Sequence, residues 1–251
     1  MMLHPYNIDQ LQNLNSHSAQ YQDASATANL REQALRQIAL TLGTQSGLAH
    51  ESKRINKRLQ QHAQRLDAVF NFNGLLYNHY LLPPVIEQTG NSIKVSNDGL
   101  VIRAGGHSYK IIKQVQFVTT PPTWQDYLLM SYQPPPLPPH SVLPKNRVEQ
   151  KVWANAIVSG WAKGRDQALN IFKINIHKLS RDFNGMVLYK RLLAKNMVSP
   201  FYVKKKSLGV TGDSQNITVD DSTMKITVKP QLQKIGKLWE SIAVKKDKKD
   251  K

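Results

Sequence analysis

The chain has 251 residues, 40% of them hydrophobic, and its 34 Lys and Arg against 17 Asp and Glu give a formal net charge of +17 at pH 7. Such a chain can bury an ordinary core in one domain or two small ones, and its charge favours anionic contacts: nucleic acid, an acidic membrane surface or an acidic protein. The absence of cysteine excludes disulfides, thiolate metal sites and cysteine nucleophiles, and no apolar run reaches the roughly 18 to 20 residues that cross a bilayer.

Met1–Pro5 lacks the basic flank and apolar run of a signal peptide, so the expectation is a chain that is intracellular or already trimmed. Residues 1–28 are rich in Asn, Gln, Ser and His and are expected to form a flexible leader, because they bury too little apolar surface to offset the entropy of ordering. From Leu30 the spacing becomes helical: Leu30, Ala34, Ile38 and Leu42, then Ile55, Leu59, Leu66 and Phe70. This predicts one long helix or a helical hairpin. Gly43 and Gly47 fall on one side of it, suiting either a close backbone approach or a helix break. Lys53, Arg54, Lys57, Arg58 and Arg65 form a basic ridge, read as a solvated helix face.

Pro83-Pro84 is expected to end the helical part. A small antiparallel sheet is expected around residues 85–119, with Ile93 and Val95, the run Leu100-Val101-Ile102, and Tyr109, Ile111, Val115 and Phe117 at period two. Asn97-Asp98-Gly99 and Gly105-Gly106 supply its turns. A short helix begins near Pro121-Pro122-Thr123-Trp124, with Thr123 and Asp126 as a capping pair. Residues 133–144 form a Pro-rich connector, extended and stiff, although a docking ligand for an aromatic groove is the other reading. Asn146 caps the next helix with Glu149 at its third position; Gly164 is expected to close it, and a further helix to run from about Asp166 to Asn196 with Gly185 as a possible kink. Phe201-Tyr202-Val203 is strand-like, and Ile217–Val219 with Met224–Val228, joined through Asp220-Asp221-Ser222-Thr223, reads as a closing hairpin. A last amphipathic helix with Ile235, Leu238, Trp239 and Ile242 leads into a Lys-rich tail, 245–251, expected to be disordered. The fold class expected is therefore α+β, a single domain over 29–244: an N-terminal long helix or hairpin, a small antiparallel sheet, C-terminal helices and a closing β-hairpin.

A search for chemistry finds little. No two of the eight histidines stand four residues apart as a helical metal grip requires, neither Gly105-Gly106 nor Gly209-Val210-Thr211-Gly212 has a phosphate-loop pattern, and there is no G-x-S-x-G. Asp213, Asp220 and Asp221 could act as paired carboxylates, but turn and capping roles are commoner. No catalytic, cofactor-binding or metal-binding residue is assigned, and no cofactor is expected. Lys204, Lys205 and Lys206 follow the stackable rings of Phe201 and Tyr202, which makes nucleic-acid binding the serious alternative to a scaffold or interaction protein; an enzyme ranks third.

Several segments, in order, resemble DotC, the lipoprotein family of the type IVB (Dot/Icm) secretion system and related conjugation systems. They are Leu42–Ala49, Leu66–Asn73, Leu82–Val85, Thr119–Trp124 with Tyr127-Leu128, Leu143–Lys145, Gly160-Trp161, Asp182–Tyr189, Leu192–Ala194, Asn196–Pro200 and Leu208–Asp213. The resemblance implies a non-enzymatic, virulence-associated structural subunit of an outer-membrane core complex. It would sit on the periplasmic side of the outer membrane by a lipid anchor absent from this chain, which has no cysteine to acylate. It would help to assemble and localise DotD-like and DotH-like partners in a multi-copy ring for effector export, with no specific nucleic acid expected as a partner. Phe201, Tyr202, Lys204, Lys205 and Lys206 are the candidate partner-binding residues, with Trp124 or Trp161 as further docking groups or plain core.

Overall fold

A computed structural model describes residues 7–12, 25–96, 98, 102–213, 215–236 and 239. The chain is α+β, as its pattern of elements predicts, and it divides into two compact units, Met1–Val69 with Trp124–His177 and Phe70–Thr123 with Lys178–Lys251. No helix among the described residues is long and apolar enough to cross a membrane.

The first unit is helical. It holds α1 (Ile8–Gln12), inside the expected leader, α2 (Ser25–Gln61), α3 (Ala63–Val69), α4 (Trp124–Leu128) and α5 (Arg147–Ala194) as far as His177. Leu35, Ala39 and Leu42 of α2 pack with Leu143 and with Trp153, Ala156, Ile157 and Trp161 of α5. Of the expected stripe Leu42, Ile55 and Leu59 are buried and Ile38 packs against the core, whereas Leu30, at 70% exposure, and Ala34 lie outside it; along the stripe the two helices approach closely. The glycines show why. A Cβ at Gly43 would stand 2.6 Å from the Ile157 carbonyl oxygen and one at Gly47 2.5 Å from that of Trp161, while Gly160 and Gly164 press equally on the Leu40 and Thr44 carbonyls. Each helix thus offers a small-x-x-x-small notch to the other, and the two run in the same direction along it. Neither Gly47 nor Gly164 breaks or closes its helix: the cost of glycine in a helix, about 1 kcal/mol each, is offset by backbone-on-backbone packing.

Asn146 does cap α5, its Oδ1 accepting the Glu149 amide at 2.8 Å, and the Glu149 carboxylate in turn accepts the Lys145 amide at 2.8 Å and Arg31 Nε at 2.9 Å. Pro121 and Pro122 precede α4 rather than sitting in its first turn, and Trp124, 1% exposed, donates its indole N–H to Asp67 Oδ1 at 2.7 Å. The Pro-rich segment packs along α2: Pro134 is buried, and Pro135, Pro136 and Pro138 line a cavity of about 280 Å³ with Gln37, Ile38, Thr41, Leu42 and Gln45.

The second unit carries the strands. Helix ends at Val69, earlier than Pro83-Pro84, because β1 (Leu81–Leu82) pairs with β4 (Gln116–Phe117) and the two prolines lie buried between β1 and β2. β2 (Val85–Val95) and β3 (Ile102–Lys113) form an antiparallel hairpin in which Ile86 faces Ile111 and Gln88 faces Tyr109. Its expected turn at Asn97 and Gly99, like Leu100 and Val101, lies outside the described residues. Ile86 joins Tyr189, Leu192 and Val198 in a core that also takes Tyr77, Tyr109, Ile111 and Phe201. Gly185 admits α5 closely to this core, since a Cβ there would meet Val85 Cγ1 at 2.5 Å. Beside it the fully buried Asp182 is held by Lys113 Nζ at 2.5 Å and Arg181 Nη2 at 2.9 Å.

The closing hairpin differs from expectation. β5 (Tyr202–Gly212) pairs with β6 (Ile217–Val228), a single strand that passes straight through Asp220–Thr223; the turn lies at Asp213–Asn216 instead. Asp220, at φ +58, and Gly209, at φ +74, form an irregularity in the ladder where the sequence reads as a turn, because the left-handed conformation that suits Asp and Gly in turns serves equally in a bulge. Ile235 and Trp239 are exposed, and the rest of the expected last helix, with the tail 245–251, lies outside the described residues.

Candidate partner interface

The β5–β6 hairpin is fastened at its base. Val198 bridges Leu232, the Ser199 amide donates to the Gln231 carbonyl at 2.8 Å, and Gln231 returns a bond to Ser199 Oγ at 2.9 Å. Beyond that base nearly every residue of both strands is exposed or only half-buried. A two-stranded ribbon is marginal in water on its own, yet this one carries Leu208, Val210, Ile217 and Val219 at 41, 65, 69 and 67% exposure.

Register decides what the faces present, since residues directly opposite across a ladder share a face. Lys204 faces Lys225 and Lys206 faces Thr223, whereas Lys205 lies opposite Met224 on the other side, with Val203 opposite Ile226. Like charges directly opposite each other destabilise a ladder, and none of Lys204, Lys206 and Lys225 has a salt bridge to a described residue. Tyr202, 59% exposed, begins this basic side. Phe201 does not belong to it: the ring is half-buried, edge-on to Tyr77 at 5.1 Å, in the second core. Of the five residues chosen from sequence, the structure therefore gathers Tyr202, Lys204 and Lys206 on one face, turns Lys205 away and places Phe201 inside. Trp124 and Trp161, at 1 and 7% exposure, are core. Lys225 escapes a sequence reading because only the pairing register brings it opposite Lys204, while Ile217 and Val219 lie toward the turn, where Ile217 faces Gly212 and Thr218 faces Thr211.

The aspartates occupy the far half of the ribbon and are accounted for one by one. Asp213 accepts the amides of Gln215 at 2.8 Å and Asn216 at 2.9 Å, and these bonds hold its carboxyl below the usual range. Asp220 supplies the left-handed bulge residue, and Asp221 accepts Thr211 Oγ1 at 2.6 Å. They act as turn and bulge groups, as the commoner reading has it. Among the described residues no three His, Asp or Glu side chains gather as a metal site.

A family model described as type IV secretory system, conjugal DNA-protein transfer, matches residues 29–241, from α2 through both units and past β6. The chain belongs to this family. A role in type IV secretion or conjugation follows, in agreement with the secretion-system part of the resemblance. No curated protein matches the chain. Within this type IV family member, the ordered segments that carry the resemblance are mostly residues that shape the fold: Gly43 and Gly47 at the helix crossing, Asp182 and Gly185 against β2 and β3, Tyr189 in the core, and Gly209 and Asp213 in the hairpin.

Proposed function

We propose that the chain is a DotC-like, non-catalytic structural subunit of the outer-membrane core complex of a type IVB (Dot/Icm) system, helping to assemble and localise DotH-like and DotD-like partners for effector export. In this reading the precursor is a lipoprotein held at the periplasmic side of the outer membrane, and the chain occupies many equivalent positions in a ring. The observation that carries it is the β5–β6 hairpin, a ribbon with its apolar and charged side chains open on both faces, which is the surface of a protein built to be covered. Family membership and the structural roles of the resembling residues support the same reading.

The test is copurification from detergent-solubilised envelopes. DotD-like and DotH-like subunits are expected to come down with the tagged chain; their absence under mild conditions would count against the proposal. Lipoprotein character is checked by mass spectrometry of the envelope-bound protein, where an acylated N-terminal cysteine on the full-length product is the expected result.

A further inference from the structure

The hairpin is not uniformly charged, and this says what covers it. Lys204, Lys206 and Lys225 stand in its half nearest the core, without salt bridges to described residues, while Asp213, Asp220 and Asp221 stand in its far half. On β6 alone Lys225 and Asp221 are four residues apart, about 13 Å at the rise of an extended strand. Lys206, opposite Thr223, stands nearer, two residues or about 7 Å along from Asp221 and so within the screening length of about 8 Å, and the ribbon changes sign along its length. Between and around them lie Leu208, Val210, Ile217 and Val219, all exposed. A polyanion laid along this ribbon, whether nucleic acid or an anionic bilayer, would gain at the lysines and be repelled at the aspartates. A protein surface can match both ends at once.

We infer that the β5–β6 hairpin is a docking arm for a different protein of the assembly, whose surface places carboxylates over Lys204, Lys206 and Lys225, apolar side chains over Val210, Ile217 and Val219, and a cation near Asp220 and Asp221. The like-charged Lys204–Lys225 pair is relieved when a partner carboxylate bridges it, and the burial of the apolar group stabilises a ribbon that two strands alone support poorly. Tyr202 adds an amphipathic ring at the edge of the basic patch, a residue type enriched in protein interfaces. The inference rests on the proposed role as an assembly subunit and adds the chemistry of the partner.

Photo-crosslinking in intact cells tests it, with p-benzoylphenylalanine placed at Tyr202 and, separately, at Val219 of the full-length protein. The expected product is an adduct with another envelope protein, whose crosslinked peptide is acidic at Tyr202 and apolar at Val219. The triple variant Lys204→Glu, Lys206→Glu, Lys225→Glu is expected to lower the adduct yield at least tenfold, and changing the acidic residues of the crosslinked peptide to Lys to restore it. Should the triple variant misfold, the Lys→Gln set, with a loss of adduct as NaCl is raised, gives the same reading. An adduct with a second copy of this chain, a nuclease-sensitive adduct, a lipid adduct, or an adduct indifferent to the lysines each overturns the inference. Envelope copurification without any adduct overturns it while leaving the proposed function standing; failure of both removes the two together.

Discussion

Glu149 shows how much one side chain can organise. Desolvation would raise its pKa, but the hydrogen bond from Arg31, the amide of Lys145 and the charges of both residues prevail, so its carboxyl titrates below the usual range. A carboxyl with a depressed folded pKa contributes stability above its unfolded value, near 4.3, and loses it as pH falls toward the folded value. Glu149→Gln is expected to cost about 1–2 kcal/mol at pH 7 and to flatten the fall in urea midpoint below about pH 4.3; an unchanged acid limb would refute the assignment. Tyr189 makes the opposite case. It is fully buried, its hydroxyl meets no hydrogen-bond partner among the described residues, and burial, with Tyr77 nearby, pushes its pKa well up. Tyr189→Phe is therefore expected to keep the fold and to gain about 1 kcal/mol in urea, since a desolvated hydroxyl is removed with little change of shape. The Asn146–Glu149 cap was legible in the sequence because capping is local. The reach of Arg31 to the same carboxylate, across more than a hundred residues, was not.

At the scale of elements, the meeting of α2 and α5 turns on four glycines. Gly47→Ala gains about 1 kcal/mol of helix propensity but drives a methyl to 2.5 Å from the Trp161 carbonyl oxygen, where backbone must yield; overpacking of this kind costs about 1–3 kcal/mol. Gly47→Ala and Gly164→Ala are expected to lower the thermal midpoint, whereas Gly106→Ala, with open space at its Cβ, should stay within about 0.5 kcal/mol. If Gly47→Ala raised the midpoint, the crossing would not be as close as described. The sequence showed the helical period and the Gly43/Gly47 pair, but not that Gly160 and Gly164 meet it, so a glycine that permits contact read equally as a break. The same limit explains the closing hairpin: Asp220-Asp221-Ser222-Thr223 has turn composition, and only the ladder partner Gly209 reveals a bulge in a continuous strand. Of the candidate interface, Tyr202 and the lysine run were legible, while their division between two faces needed the register.

For the whole molecule the surplus of 17 positive charges opposes compaction, because like charges come closer together on folding. The ion pairs seen among the described residues act the other way but locally: the exposed Arg36–Glu32 pair is worth about 0–1 kcal/mol, whereas Arg54, Arg165 and Lys113 neutralise the buried carboxylates of Glu51 and Asp182. Salt separates the two contributions. Raising NaCl from 0.1 to 1 M shortens the screening length from about 10 Å to about 3 Å, which removes longer-range repulsion among surplus lysines more completely than it weakens contacts closer than 4 Å. The thermal midpoint is expected to rise over this range and then level off, and an equal concentration of a neutral solute should not reproduce the rise at low salt. Neutralising Lys204, Lys206 and Lys225 to Gln should reduce the dependence on salt while raising the midpoint at 0.1 M, because their mutual repulsion across the β5–β6 ladder is part of what the salt relieves. A midpoint that falls with NaCl would mean that surface ion pairs outweigh the surplus, and the unbalanced charge would then lose its standing as a force that a partner must answer.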